Sequence, residues 1–414
     1  MFTDKRDHYK KIGKLEAGMI LLYVLPPIGI TWLMLIGLFQ LYRVIRGRKP
    51  LDVTVTVVFF LSLFISTVIA SIQLHNLTYL MSVLFILGYL GFYLYVKQHG
   101  TIQLFRNWLW INIGGGLYIA LLGWIQVLFH IGCSTDGIVG LVTGTRLFGY
   151  DQLDRLFGST YNPNFASFLL LYAVALLLVV WLYKIHQKKR KINLLFIGCL
   201  VVLSTAIIET GSRTGFAAMV MLYLFFFFRL RLKLRFLGLI GFLTCTPLFM
   251  EWLPRSGSLG ESMSDRKLIW ETSLNIWREH PVFGVTPNGF QDMYKELIGQ
   301  YVAHPHNIFL YFFVNFGTVG GMAFLLLVVV LLYRLLLTLT ASRTHKEFLD
   351  VFLFLIPVTL LTGLFDFPMF SPQTALVAVG LIGYWEYYSR MCSFGYSTWR
   401  QKEETKMKNI GRDN

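Results

Sequence analysis

The sequence predicts an all-α, polytopic helical membrane protein of about 11–12 transmembrane helices, with one large external loop that carries a short amphipathic helix. Three observations carry that prediction. Only 14% of the 414 residues are charged while 55% are hydrophobic, whereas a soluble domain carries roughly a quarter charged residues. Apolar stretches close to the ~20 residues that cross a bilayer recur along the whole chain. They are continuous rather than alternating, which specifies helices and excludes the ~10-residue segments of a lipid-facing barrel.

The apolar runs fall at about 15–42, 51–73, 77–96, 108–130, 163–183, 192–209, 214–228, 235–250, 306–333, 348–365 and 373–389. Lys and Arg set their orientation. Lys184, Lys188, Lys189, Arg190 and Lys191 crowd one break, and Arg229, Arg231, Lys233 and Arg235 another, so both breaks are expected in the cytoplasm. Counting outward places 131–162, 210–213, 251–305 and 366–372 outside, and 97–107, 334–347 and the basic tail 391–414 inside. Residues 1–414 thus read as a single membrane domain, with 251–305 as its large external loop. The net charge of +15 reports this topology; it lies in short loops, so no nucleic-acid partner is expected. Basic residues flank the run 15–42 on both sides, and Pro26-Pro27 interrupts it. A hairpin of two short tilted helices or a re-entrant pair satisfies both ends and is expected, the alternative being a single crossing with the N-terminus outside. The basic N-terminus lacks a small-residue cleavage site, so the first span is expected to be retained. The four cysteines indicate no disulfide framework.

Polarity concentrates in three places on the expected outer side. In the long loop, residues 263–279 predict a helix, with Ser262-Met263-Ser264-Asp265 as a capping box and Pro281 as its stop. At helical spacing Arg266, Ile269, Trp270, Ser273, Leu274, Ile276 and Trp277 share one face, and Lys267, Glu271, Asn275 and Arg278 the other. An arginine amid an apolar stripe either snorkels to water or meets an anion. Arg213, in Glu209-Thr210-Gly211-Ser212-Arg213-Thr214-Gly215, ends one span and opens the next. There it either pairs with Glu209 four residues back or offers a guanidinium to a ligand beside a helix N-terminus. His304-Pro305-His306-Asn307 stands at the mouth of the run that follows. Histidine suits proton transfer near neutral pH, and it also serves in caps and packing. Two histidines across a proline, with no Cys or Glu-x-x-His partner, do not make a metal motif, so no metal is expected.

In their order these pieces resemble the superfamily of O-antigen ligases and Wzy-type polysaccharide polymerases. The likeness rests on Asn162-Pro163-Asn164-Phe165, Gly211-Ser212-Arg213-Thr214-Gly215, Arg266 before Ile269-Trp270, and His280-Pro281-Val282-Phe283-Gly284-Val285 with Asn288-Gly289-Phe290. It continues in His304-Pro305-His306-Asn307-Ile308-Phe309-Leu310, followed by Asn315-Phe316-Gly317 and Gly320. It covers roughly residues 160–325. Two positions depart from the common pattern: Thr286 stands where a second glycine is usual after Gly284, and Asn315 where an acidic residue is frequent.

The resemblance implies transfer of a glycan from an undecaprenyl-diphosphate carrier to an acceptor hydroxyl, outside a bacterial cytoplasmic (inner) membrane. It implies no cofactor, the lipid-linked glycan being substrate. His306 is then the general base, with Arg213 and Arg266 on the departing diphosphate; His304, Asn307, Ser212, Trp270 and Asn164 are substrate-binding. Beyond the bilayer and the polyprenyl-diphosphate oligosaccharide, a flippase and a chain-length regulator are the implied partners. Polymerisation of repeat units into O-antigen, capsular or exopolysaccharide is favoured over ligation to lipid A core or protein, since nothing signals a docking domain for those acceptors. From a different class, a transporter or flippase of lipid-linked sugars would show internal repeats and charges near the membrane midplane. Here Glu209, Asp366 and Glu386 fall near span ends.

Overall fold

The computed structural model describes residues 12–129, 155–186, 194–230, 259–341 and 346–393, with isolated positions between 236 and 257. The span expected at 235–250, most of the two basic breaks that set the orientation and the tail from 394 lie outside the described residues. Among those residues every regular element is helical, and seven helices are long and apolar enough to cross a membrane. The protein is a multi-pass helical membrane protein.

The first run is the expected hairpin. α1 (Lys14–Val24) ends where Leu25 closes on Leu21, and α2 starts at Pro26 (Pro26–Ile45). Proline offers no N–H to continue the first helix, and its fixed φ suits the first turn of the second. The two run antiparallel: Trp32 donates its indole N–H to the Lys14 carbonyl at 2.9 Å, and a side chain at Gly29 would strike the Leu22 backbone.

There follow α3 (Val55–Gln73), α4 (Met81–His99) and α5 (Ile102–Leu128), the first and last capped by Thr54 and Thr101. α6 (Pro163–His186) is buried on every side. Around it pack α5, α7 (Leu194–Glu209), α8 (Arg213–Arg229) and α12 (Lys346–Phe365). α13 (Pro372–Ser393) closes the bundle against α4. Charges collect at one end of this bundle: Lys97 meets Asp52 at 3.1 Å, Arg229 meets Asp350 at 2.6 Å, and Arg334 meets Glu386 at 3.0 Å. The segments 155–162, 210–213, 304–307 and 366–371 meet at the opposite end, as the alternation of spans requires.

The extramembrane module differs from its sequence reading in two respects: its helix starts earlier, and a second helix follows it. α9 runs Leu259–Glu279, so it starts upstream of the capping box and Ser262 falls inside its first turn. The predicted faces hold: Ile269, Ser273 and Ile276 are buried, Arg266, Trp270 and Trp277 half-buried, and Lys267, Glu271, Asn275 and Arg278 exposed. α10 (Pro287–Ile298) packs beside it, and their apolar faces form a small second core with Val285, Phe290, Tyr294 and Val314. Tyr79, on the turn before α4, fastens the module by donating to Asp292 at 2.8 Å.

The run 306–333, expected as one span, is not straight. α11 (Ile308–Ala341) breaks at Gly317, where φ is 64°. Residues twelve apart in an unbroken helix are about 18 Å apart, yet the rings of Phe312 and Phe324 stack at 4.3 Å. Residues 308–316 therefore fold back along 318–341, and the His-bearing end is carried down the side of the span. The segment 281–286 fills the break: Val285 N–H reaches the Val314 carbonyl at 3.1 Å, Thr286 N–H the Asn315 carbonyl at 2.8 Å, and Thr318 N–H the Pro281 carbonyl at 2.7 Å. A side chain at Gly317 would collide with the Val282 backbone. Gly317→Ala, combining positive-φ strain with that collision, is expected to cost about 2–4 kcal/mol and to lower the thermal midpoint in detergent. Gly114→Ala, a helical position with nothing within 4 Å, serves as control and should leave the midpoint unchanged or slightly raised.

Candidate active site

His304, His306 and Asp366 meet where the N-terminal end of α11 touches the end of α12. Asn307 builds the corner. Its Oδ1 caps α11 by accepting from the Phe309 and Leu310 amides at 2.9 and 3.0 Å, and its Nδ2 donates to the Leu364 carbonyl at 2.9 Å. Both ends of this side chain are thus committed to the protein, tying the two helices together. His306 follows the constraint with φ at 52°, a conformation that side-chain-bearing residues hold only where the surroundings impose it.

One carboxylate oxygen organises the pair of imidazoles. Asp366 Oδ1 lies 3.0 Å from His306 Nδ1 and 3.8 Å from His304 Nε2, and it accepts the Phe367 amide at 2.8 Å. Burial alone would raise the Asp366 carboxyl; the hydrogen bond from His306, the two imidazoles' charge and the Phe367 amide outweigh it and hold the group below the usual carboxylate range. An ionised carboxylate only accepts, so His306 donates through Nδ1–H, which in the neutral ring leaves the lone pair on Nε2. His306 is the open member of the pair: its side chain is 31% exposed, that of His304 5%. Burial, helped by the charge of His306 and opposed by Asp366, pushes His304 down to about 3.

His304, His306 and Asp366 present one donor atom each within 4.8 Å of one another, a spacing that a divalent ion could bridge. The protons argue otherwise. His304 Nδ1 accepts the His306 amide at 3.2 Å, so the neutral ring carries its proton on Nε2, the atom nearest Asp366. A metal there would have to displace both that proton and the hydrogen bond on the far side of the ring. In this arrangement His306 donates to Asp366 at 3.0 Å while His304 Nε2 stands 3.8 Å from the same oxygen.

A small cleft, with room for about one water molecule, opens beside Asp366, lined by Asn164, Ser167, Ser212, Thr214 and Thr362. Ser212 caps α8 by accepting the Gly215 amide at 3.2 Å, so the positive end of that helix borders the cleft. Arg155 holds the rim. Its Nε donates to the Thr210 carbonyl at 2.7 Å and its Nη2 to Asn164 Oδ1 at 3.1 Å. Arg213 opens α8 immediately after Ser212, and its Nε donates to the Pro254 carbonyl at 3.2 Å. Glu209, its neighbour in the sequence reading, accepts instead from the Trp124 indole. Trp270 leans on Phe365, beside Asp366, with ring centres 6.4 Å apart. Arg266 lies one turn before Trp270 on the same side of α9, half-buried and without a hydrogen bond or ion pair among the described residues.

Of the residues singled out from sequence, His304 and His306 converge on Asp366, Asn307 holds the Leu364 carbonyl two residues before it, and Asn164 and Ser212 share its cleft. Trp270 reaches the same corner, with Arg213 and Arg266 on the elements at its edge. Thr286, the departure from the family pattern, takes φ 67° and caps α10 through the Gly289 amide; it adopts the backbone conformation that glycine supplies without strain. Two residues were missed. Asp366 was visible only as an acid near a span end, though an acid followed by Phe-Pro directly after an apolar run was the available signal. Arg155 sits in no motif. Residues 198–325 match the family model described as O-antigen ligase, and the superfamily resemblance carried by the motifs is borne out there. The match encloses Arg213, Arg266, His304 and His306, and leaves Arg155, Asn164 and Asp366 outside it. No curated protein matches the chain.

Acid should loosen this corner. The unfolded chain binds a proton at His304 below its ordinary value of 6.5, whereas the folded chain resists it down to about 3. The unfolded state therefore holds more protons in that window, and stability present above pH ~6.5 is lost as pH falls. Asp366, also depressed, adds to the loss only below its ordinary value of 3.8. Thermal midpoints between pH 7 and 4.5 should fall for the wild type, and His304→Gln should start lower at pH 7 and show a flatter slope.

Proposed function

We propose that the protein is a membrane glycosyltransferase that joins undecaprenyl-diphosphate-linked oligosaccharide repeats into a longer glycan on the outer side of a bacterial cytoplasmic membrane. The observation that carries this reading is the 3.0 Å contact between His306 Nδ1 and Asp366 Oδ1. It orients an imidazole whose Nε2 faces away from the carboxylate, and the same Asp366 lines the cleft bordered by the N-terminus of α8.

In this reaction an acceptor hydroxyl attacks the anomeric carbon of the donor sugar. Its proton passes to His306 Nε2, and Asp366 stabilises the imidazolium as it forms, in the manner of a buried carboxylate behind a catalytic histidine. The bond from the anomeric carbon to the phosphate oxygen breaks, and its electron pair leaves with the carrier diphosphate. Arg213, Arg266 and the N-terminal amides of α8 oppose that charge. Arg155 and Asn307 act as positioning residues, the first through Asn164 and the Thr210 carbonyl, the second through the two helix ends it ties. Polymerisation is the favoured outcome because no segment with the composition of an acceptor-docking domain interrupts the spans.

The variants separate the roles. His306→Ala should retain binding of a lipid-diphosphate oligosaccharide and lose about 10²–10⁴-fold in turnover, while Arg213→Ala and Arg266→Ala should weaken donor binding as well. Near wild-type turnover by His306→Ala would remove it as base and leave His304 as the next candidate. In cells, deletion of the gene should accumulate single lipid-linked repeats; long unattached chains would instead identify a ligase.

A further inference from the structure

Asp366 meets its neighbours through one of its two carboxylate oxygens. The His306 ring, the Phe367 amide and the more distant His304 ring all fall on Oδ1, and Oδ2 accepts nothing from the described residues. An ionised carboxylate has lone pairs on both oxygens, and burial makes each unmatched one costly.

Ser167 is the complementary case. Hydroxyls in the helices of this protein often donate to the carbonyl four residues back, as those of Thr67, Ser71, Ser273, Thr359 and Thr362 do at 2.6–2.8 Å. Ser167, near the start of α6 and 1% exposed, does not: its Oγ has no hydrogen-bond partner. A buried hydroxyl left unpaired is destabilising.

The bare Cα of Gly215 brings this hydroxyl beside that of Ser212. A Cβ at Gly215 would overlap Ser167 Oγ and lie 3.2 Å from Ser212 Oγ, so only glycine lets α6 and α8 approach this closely. Ser212 accepts the Gly215 amide at 3.2 Å, which leaves its own O–H to donate. Ser167, Ser212 and Asp366 all line the cleft that has room for about one water molecule, and Phe168, Leu171 and Pro368 give it apolar walls. A held water takes about three hydrogen bonds. The two hydroxyls and Oδ2 supply that number.

We propose that this cleft is a water site in which one ordered water links Asp366 Oδ2 to the hydroxyls of Ser167 and Ser212, and that Ser167 is through it a positioning residue for His306. The water gives Oδ2 the donor that Oδ1 has in the His306 ring, so the carboxylate is held in the rotation at which Oδ1 meets that ring. It also ties the carboxylate to the start of α8. The link follows from the unpaired atoms alone; its effect on turnover rests on the glycan chemistry proposed above.

A double-mutant cycle reads the link without activity. Ser167→Ala removes one partner of the water, and Ser167→Val also fills the cleft with a methyl group. At pH 7 both should lower the thermal midpoint in detergent, Ser167→Val by roughly 2 °C or more. In the Asp366→Asn background, where no charge depends on the water, most of that fall should disappear. A packing role for Ser167 gives the same fall in both backgrounds, and that result, or an unchanged midpoint for Ser167→Val, would overturn the proposal. Should the variants fail to fold, a map of the wild-type protein that resolves ordered water decides: a peak within hydrogen-bond reach of Ser167 Oγ and Asp366 Oδ2 is expected, and a side chain closed into the cleft would overturn it. With a lipid-diphosphate oligosaccharide, Ser167→Ala should lower kcat about threefold to tenfold with KM little changed; an unchanged kcat would overturn the positioning role. A wild type that transfers no glycan would remove the proposed function and leave the midpoints to decide the link, so the two failures are told apart.

Discussion

The carboxylate of Asp366 is the fixed point of the candidate site. It accepts from the His306 ring and the Phe367 amide with His304 close by, and it stays ionised despite burial because those donors replace the water it lost. Each neighbour is placed in turn by something else. His304 is set by the His306 amide on its far side, and the loop bearing both histidines is set by Asn307, which caps one helix while holding the end of another. Removing the carboxylate would free the His306 ring, and would leave two imidazoles beside each other at 4.4 Å between centres.

That corner depends on a backbone reversal some distance away. Gly317 lets 308–316 fold back on 318–341, and Gly284, also at positive φ, lets the loop 281–286 run hard against the break. The loop's amides and carbonyls satisfy groups that the interrupted helix leaves open, which a membrane protein must do wherever a helix breaks near lipid. Through this junction and the Tyr79–Asp292 bond the α9–α10 module is fastened at two places. Trp270 is thereby brought against Phe365, so Arg266 is presented by a braced element and not by a loose loop.

Much of this was legible in the sequence, for reasons that differ by element. Apolar runs and their basic flanks specified the spans, since lipid leaves the backbone no alternative to helix, and Pro26-Pro27 marked the hairpin between α1 and α2. Helical periodicity identified the buried face of α9, with Arg266 on it. What periodicity cannot report is direction in space. Residues 308–316 and 318–341 share one continuous apolar pattern, and only the glycine conformation divides them. Asp366 escaped because its partner lies sixty residues away, and a contact of that range leaves no local trace. Arg155 escaped for the same reason, meeting Thr210 across a separation of fifty-five residues. The upstream start of α9 was missed because a capping-box pattern inside a helix reads as its beginning.

The central claim is that His306 acts as a base through a ring nitrogen that Asp366 leaves free, and chemical rescue tests it most directly. A purified His306→Gly variant, supplied with a lipid-diphosphate oligosaccharide, should turn over at background. Added imidazole should restore part of the rate in proportion to its neutral form, so that rescue rises with pH through the imidazole titration. Full activity of the variant without imidazole would contradict the account.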